Sequence, residues 1–118
     1  MNEVKAGNSD INGGAVLSDE GARIFEKEHP NWRKLQKSNC EYIERRFSMP
    51  AYSMNFDFAR RIGDLAEQNK RYPIIEITEK ECSVRWNCGE NSRLHQHDCS
   101  MAAQTDEIFL ELFHRHEG

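Results

Sequence analysis

The sequence predicts an α+β domain in which a four-stranded antiparallel sheet carries three helices on one face. Two pairs of short segments alternate apolar and polar residues, which is the pattern of antiparallel strands with one buried face. Segments with apolar residues at three- and four-residue spacing lie before, between and after these pairs. The resulting order is helix, strand, strand, helix, strand, strand, helix, and we therefore expect helices packed against a single sheet.

The domain is predicted to span residues 17–113 of the 118-residue chain. Residues 1–16 are rich in Gly, Asn and Asp and contain almost no large apolar side chain. Such a segment cannot bury enough surface to offset the entropy of ordering, so we expect a disordered tail. Residues 114–118, HRHEG, are expected to be a frayed end of the last helix.

The first half of the domain holds one helix and two strands. The helix is predicted to begin at Ser18, a suitable N-cap, and to end before Pro30. Segments 32–35 and 41–49 predict strands joined by the polar turn Lys-Ser-Asn. The apolar residues of one parity in the second strand are Ile43, Phe47 and Met49.

The second half repeats the pattern with longer helices. Residues 53–70 predict a central helix, which Pro73 brings to an end. The alternation around Ile75 and Ile77 predicts a strand, and 82–88 predicts the antiparallel return strand. The last helix is expected over 96–113. The apolar positions of the central helix are Phe58, Ile62, Leu65 and Ala66.

Composition and charge exclude several function classes. The net charge is −4 and acids and bases are interspersed, so no basic patch for direct nucleic-acid binding is expected. No apolar run is long enough to span a membrane, and the first residues lack a secretory signal, so we expect a cytoplasmic protein. A hydrophobic fraction of 37% with a mean hydropathy of −0.85 predicts a small core that self-association would supplement.

The four cysteines are expected to be reduced thiols. A zinc site built from Cys82, Cys88, His95 and Cys99 can be imagined, but its spacing, C-x5-C-x6-H-x3-C, matches none of the usual structural patterns. Cysteine is also among the most frequently buried residues. We therefore expect neither a metal nor another cofactor.

Three motifs carry a family resemblance. They are Phe47-x-Met49, the helix and corner FARRIGDLAEQNKRYP, and RLHQHDCSMAAQTDEI at the start of the last helix. Together, over roughly residues 17–110, they resemble the pterin-4a-carbinolamine dehydratases, also known as dimerisation cofactors of a homeodomain transcription factor. The resemblance implies the same order of helices and strands, and an oligomer.

The resemblance also implies which residues form the site. In that family the central helix leads through an acid and three further residues to His-His-Pro, and a third histidine ends a strand. The two paired histidines fall on Arg71 and Tyr72, and the third falls at or beside Gly89. The positions that match the family pattern are Glu67, Pro73, Leu94 and Asp98.

Loss of the histidines bears on the reaction that the family catalyses, which expels a hydroxyl from the 4a carbon of a tetrahydropterin. Imidazole transfers protons near neutral pH, whereas arginine stays protonated and tyrosine titrates at about 10. Guanidinium and phenol groups are instead enriched where proteins bind one another. We therefore expect a binding cleft formed by Glu67, Arg71, Tyr72, Pro73, Trp86 and Asp98.

Two alternatives for this corner stay open. In the first, Arg71 pairs with Glu67 across one helical turn and Tyr72 packs under the hairpin. In the second, the protein is a divergent active enzyme that uses Glu67, Asp98, His95 or His97 as proton carriers. His95 occupies the position of a helix-capping threonine in the family.

The predicted function is therefore that of a non-catalytic or weakly active relative, acting as a dimeric or tetrameric protein-binding factor. One branch of the family that lacks the histidines assists RuBisCO assembly in bacteria with carboxysomes, and its x-Tyr-Pro corner is similar. The alternative is an active 4a-hydroxytetrahydropterin dehydratase serving tetrahydrobiopterin recycling, and retained pterin binding is compatible with both. A regulatory subunit that docks by helix or strand addition is a third possibility.

Overall fold

The computed structural model describes residues 16–87 and 93–117. The helices are α1 (Asp19–Glu28), α2 (Met54–Asn69) and α3 (Gln96–Glu117). The strands are β1 (Arg33–Lys37), β2 (Cys40–Ser48), β3 (Ile74–Ile77) and β4 (Glu81–Trp86). This order, and the α+β class with three helices and a four-stranded antiparallel sheet, confirm the prediction from sequence.

The sheet has the strand order β1-β2-β4-β3, and every neighbouring pair is antiparallel. On the face covered by helices, Ile43, Phe47, Val84 and Trp86 are buried. On the opposite face, the Glu44 carboxylate accepts hydrogen bonds from Ser83 and Arg85. Apolar residues of these strands therefore face the core and the alternating polar residues face the open side of the sheet, as the strand pattern predicts.

The first helix and the first hairpin form close to where the sequence places them. The Ser18 side chain accepts a hydrogen bond from the Gly21 backbone N–H at 3.0 Å and caps α1. The turn between β1 and β2 is shorter than the predicted one, because Lys37 still pairs with Cys40. Ser38 then takes a left-handed conformation with φ of 55°.

The central helix ends before it reaches Pro73, so the proline is not what stops it. Lys70 adopts a left-handed conformation with φ of 57°, and its backbone N–H bonds to the Ala66 carbonyl. This residue occupies the left-handed position that commonly terminates helices. The chain therefore leaves the helix axis before Arg71, and this exit determines where the Arg71 side chain points.

The last helix is longer than predicted, since α3 continues to Glu117 rather than ending at Phe113. Neither proline nor glycine occurs between Phe113 and Gly118, so nothing in the sequence interrupts the helix.

The predicted tail of residues 1–16 lies outside the described residues except for Val16, which pairs with His95 in an isolated bridge. None of the described helices combines the length and apolar character needed to cross a membrane.

A partly buried polar contact ties α3 to the sheet. Both carboxylate oxygens of Asp106 accept from the Trp32 indole N–H, at 2.9 and 3.0 Å. The Arg45 guanidinium also donates to Asp106 at 2.7 Å and lies over the rings of Phe47 and Phe109. A charged residue on the helix-covered face of β2 is thus paired rather than isolated.

Candidate functional site

The corner that follows α2 brings two distant segments together. Because Lys70 turns the chain off the helix, the Arg71 side chain reaches the first turn of α3. Its Nε and Nη2 groups donate to the same oxygen, Oδ1 of Asp98, at 3.1 and 2.7 Å. The corner thus holds a guanidinium that is hydrogen-bonded to an acid, at the position where the resemblance places a histidine.

Asp98 is engaged on both of its oxygens. Its Oδ2 atom accepts the His95 backbone N–H at 2.9 Å, which is one half of a capping box at the start of α3. An acid in the first turn also complements the positive end of the helix dipole. The side chain is fully buried, with a relative exposure of 0%. Asp98 therefore holds the corner together and presents no oxygen to a ligand.

The segment before α3 is held from two sides. The Leu94 backbone N–H donates to the Glu41 carboxylate at 3.0 Å, which fixes it to β2. The Leu94 carbonyl accepts from the Leu17 N–H at 2.8 Å, next to the bridge between Val16 and His95. Leu94 itself is buried. The start of α3 is thus positioned by the sheet and by the chain entering α1.

The two histidines near the corner have different surroundings. His97 lies 3.3 Å through Nε2 from Oδ1 of Asn69, and the Asn69 amide donates to the Leu65 carbonyl at the end of α2. His95 is half-buried, and its Nδ1 atom is buried without a hydrogen-bond partner in the described part of the chain. His97 therefore stays close to the corner, while His95 mainly contributes its backbone.

One alternative predicted that Arg71 pairs with Glu67 and that Tyr72 packs under the hairpin, and both parts of it are wrong. Within the described ranges Arg71 makes no ion pair with Glu67, whose side chain is exposed. The i,i+4 geometry does not apply, because Arg71 lies beyond the helix end at Lys70. Tyr72 does not pack under the hairpin, since 64% of its surface is exposed.

Trp86 does not belong to the cleft. It is fully buried in the core, and its indole N–H donates to Thr105 at 3.1 Å. Its place on the inner parity of β4 directs it under α3. The corner at the surface is therefore formed by Arg71, Tyr72 and the half-buried Pro73.

Two predicted positions lie outside the described residues. Gly89, where the third family histidine falls, is one, and Cys88 of the imagined zinc site is the other. Of the remaining thiols, burial raises the pKa of Cys82 to about 11 and the pKa of Cys99 to about 12. Among residues 16–87 and 93–114 no group of three metal-ligating side chains is close enough to hold an ion.

The contact between Arg71 and Asp98 does not follow from the sequence pattern. The resemblance marks both residues, one at a histidine position and one at the matching aspartate. Their separation of 27 residues hides the pair from helical periodicity. The sequence signal that points to the pair is an arginine at a position where the resemblance places a histidine, together with an aspartate at the position that matches the family pattern.

Comparison with known proteins identifies relatives over most of the chain. The family model described as Pterin 4 alpha carbinolamine dehydratase matches residues 15–108. A protein of Chlorobium luteolum named as such a dehydratase is 31% identical over 96 residues, covering 81% of this chain and 84% of its own. One from Marinobacter nauticus is 28% identical over 93 residues, covering 79% and 84%.

Two solved structures share the fold. The transcriptional coactivator/pterin dehydratase from Brucella melitensis superimposes with a TM-score of 0.69 at 18% identity, covering 79% of this chain and 97% of that one. A pterin dehydratase-like protein described as a RuBisCO assembly factor in the alpha-carboxysome gives a TM-score of 0.54 at 18% identity. The match covers 66% of this chain and 88% of the assembly factor.

Proposed function

The chain belongs to the pterin 4 alpha carbinolamine dehydratase family, and from that premise we propose that it has lost efficient dehydration and acts as a dimeric protein-binding factor. It binds and assembles partners instead of turning over pterin. Assembly of RuBisCO is the example that the second structural neighbour offers. A cytoplasmic location, with no direct contact to nucleic acid, completes the proposal.

The observation that carries this proposal is the bond between Arg71 and Asp98. Dehydration needs a group that protonates the departing hydroxyl and a group that takes a proton from the ring. A guanidinium group is a poor proton carrier, because arginine is not deprotonated in proteins. Asp98 accepts on both oxygens and is closed off from solvent. Neither group of the corner is therefore suited to move a proton.

The surface beside this bond supports the binding half of the proposal. Tyr72 and Ile74 are exposed by 64% and 42% at the start of the edge strand β3. Tyrosine next to a fixed guanidinium is a combination enriched at protein interfaces. An edge strand also offers unpaired backbone groups to a partner. Protein recognition thus uses the same corner that carries catalytic histidines in the family.

Catalysis is tested with freshly generated 4a-hydroxytetrahydropterin as substrate. The variant Arg71→His, Tyr72→His, Gly89→His restores the family pattern, and Arg61→His on the same helix is the control for adding histidine. We expect the native protein to be slower than the Chlorobium luteolum relative by at least about 100-fold, the contribution of general acid–base groups. A native rate equal to that of the relative refutes the proposal.

Partner binding is tested separately, with purified RuBisCO immobilised on a sensor surface. Ile74→Ser is expected to weaken binding by about 10-fold, the effect of truncating one interface contact of moderate strength. The control is Ile24→Ser on α1, because Ile24 is exposed to a similar degree, 49% against 42%. Equal loss in both variants, or none in either, shows that this edge is not the recognition surface.

An active dehydratase is the second candidate, and the contact between His97 and Asn69 favours it. This contact keeps one imidazole within reach of the corner. If the native protein turns over substrate, His97→Ala is expected to lower kcat by at least about 100-fold while leaving stability nearly unchanged. A retained rate in His97→Ala excludes that residue as the proton carrier.

A further inference from the structure

The open face of the sheet carries a polar cavity of about 210 Å³. Ser83 lies in the middle of it, because the register places Arg46 of β2 on one side of this serine and Glu76 of β3 on the other. Neighbouring strands lie about 5 Å apart, so a short serine between two longer side chains leaves a depression. Thr78 and Glu81, which are hydrogen-bonded to each other at the turn of the hairpin, line its end.

Two residues of this cavity carry opposite charges. Arg46 is exposed and Glu81 is half-buried, and neither side chain makes a hydrogen bond or an ion pair with any residue that the structure describes. They are diagonal neighbours on adjacent strands, with Cβ atoms about 7–8 Å apart. Glu44, on the same face of β2, already accepts from Arg85 and cannot replace Glu81. The cavity therefore separates one cation and one anion.

The floor of the cavity presents hydrogen-bond acceptors. The Ser83 hydroxyl donates to the buried carboxylate of Glu44 at 3.1 Å, so its lone pairs remain available to accept. Glu76 accepts from Arg85 on Oε1 at 3.3 Å, and a carboxylate has several further acceptor sites. Glu81 supplies a third acceptor at the end of the cavity. Three acceptors match the three donors of an ammonium group.

We propose that this cavity binds a free α-amino acid. Its ammonium group donates to Ser83, Glu76 and Glu81, and its carboxylate accepts the guanidinium fork of Arg46. Such a ligand supplies one cation and one anion to two residues that lack a counter-charge in the described part of the chain. The cavity is smaller than the sites of about 300–1,000 Å³ that hold drug-sized ligands, so a compact amino acid fits it best.

The two charges together select a zwitterion over a simple anion or a simple cation. A carboxylic acid without an amine places its oxygens near Glu76 and Glu81, where like charges repel. An amine without a carboxylate leaves Arg46 without a counter-charge. The cavity shares no residue with the corner of Arg71 and Asp98, so this site is separate from the proposed recognition surface.

The test is a titration of the full-length, isotope-labelled protein with L-alanine, followed through the backbone amide shifts in nuclear magnetic resonance spectra. We expect shifts in the parts of β2, β3 and β4 that line the cavity. The expected dissociation constant is about 1 mM, because the charged rim is exposed to solvent. L-Lactate lacks the ammonium group and L-alaninamide lacks the carboxylate, and each should bind at least about 10-fold more weakly.

Two substitutions test the assigned roles. Arg46→Gln and Glu81→Gln each remove one charge and are expected to raise the dissociation constant for L-alanine by about 10-fold or more. Neither charge has a side-chain partner among the described residues, so both variants should melt close to native and a loss of binding reports on the site. The controls are Arg33→Gln, an exposed arginine of the same sheet face, and Glu107→Gln, an exposed acid of α3.

The controls are expected to bind L-alanine like the native protein. Four results each overturn the proposal: no amide shifts at about 20 mM L-alanine, equal binding of L-lactate, native affinity in either cavity variant, or an equal loss of affinity in the controls. The readout is independent of dehydratase turnover and of RuBisCO binding, so neither of those assays affects the outcome.

Discussion

Removing the Arg71 guanidinium is predicted to destabilise the protein more than removing any exposed arginine. In Arg71→Ala the buried Asp98 carboxylate keeps, among the described residues, only the His95 N–H as a partner. Leaving one member of a buried pair without its counter-charge costs about 3–5 kcal/mol, and we expect about 3 because 17% of the Arg71 side chain is exposed. A small domain has about 5–15 kcal/mol in total, so the variant still folds and its unfolding can be measured.

The assay is urea unfolding of native protein, Arg71→Ala, Asp98→Ala and the double variant. Arg71 makes a further interaction besides those with Asp98. The loss of stability in Arg71→Ala alone therefore overstates the free energy that the Arg71–Asp98 pair contributes. The double-mutant cycle removes such terms and is expected to give a coupling free energy of about 2 kcal/mol.

The matched control is Arg61→Ala on α2. Arg61 pairs with Glu111 at 3.3 Å, but the side chains are 30% and 66% exposed. Exposed pairs contribute about 0–1 kcal/mol, so this variant should be close to native. A coupling below about 0.5 kcal/mol for Arg71 and Asp98, or equal losses in Arg61→Ala and Arg71→Ala, refutes the view of the corner as a closed ion pair.

Three further outcomes are expected. Burial alone would raise the pKa of Glu44, but hydrogen bonds from Arg85 and Ser83 lower it below its usual value, so Glu44 stabilises the fold above its unfolded pKa. Glu44→Gln should therefore be less stable than native at pH 7, with the difference shrinking as pH falls below about 4 in thermal melts; a difference that grows with acid contradicts this. Because burial raises the thiol pKa values of Cys82 and Cys99 to about 11 and about 12, iodoacetamide at pH 8 should modify them only in urea; modification of the native state, detected by peptide mass, would show that the thiols are accessible. Ser38→Gly relieves a left-handed φ of 55° and should stabilise by about 0.5–1 kcal/mol in urea; a loss would mean that the serine side chain supports the turn.

The sequence predicts the order of elements because periodicity is a local property. The hairpin from β3 to β4 and the central helix follow directly from apolar spacing at two and at three or four residues. The placement of Arg45 on the buried parity of β2 does not follow from it. A charge is tolerated there only because Asp106, 61 residues away, pairs with it at 2.7 Å.

The sequence likewise indicates which residues belong to the site but not which of them are in contact. Sequence identifies Arg71 and Asp98 as residues of one predicted cleft, and the alternative that pairs Arg71 with Glu67 relies on helical spacing. One left-handed residue, Lys70, ends the helix and cancels that spacing. Lysine is not a residue that marks such a turn, so neither composition nor periodicity could indicate where the guanidinium would go.

The strand order β1-β2-β4-β3 has a consequence for how the chain reaches its fold. Both outer pairs join neighbours in sequence, whereas the central ladder from Ile43–Trp86 to Ser48–Glu81 joins the two halves of the chain. Loop closure over the intervening helix must precede that ladder, so we expect it to limit the folding rate. Destabilising substitutions in the Phe47–Cys82 pair should then slow refolding, while destabilising substitutions at the β1–β2 turn should mainly speed unfolding.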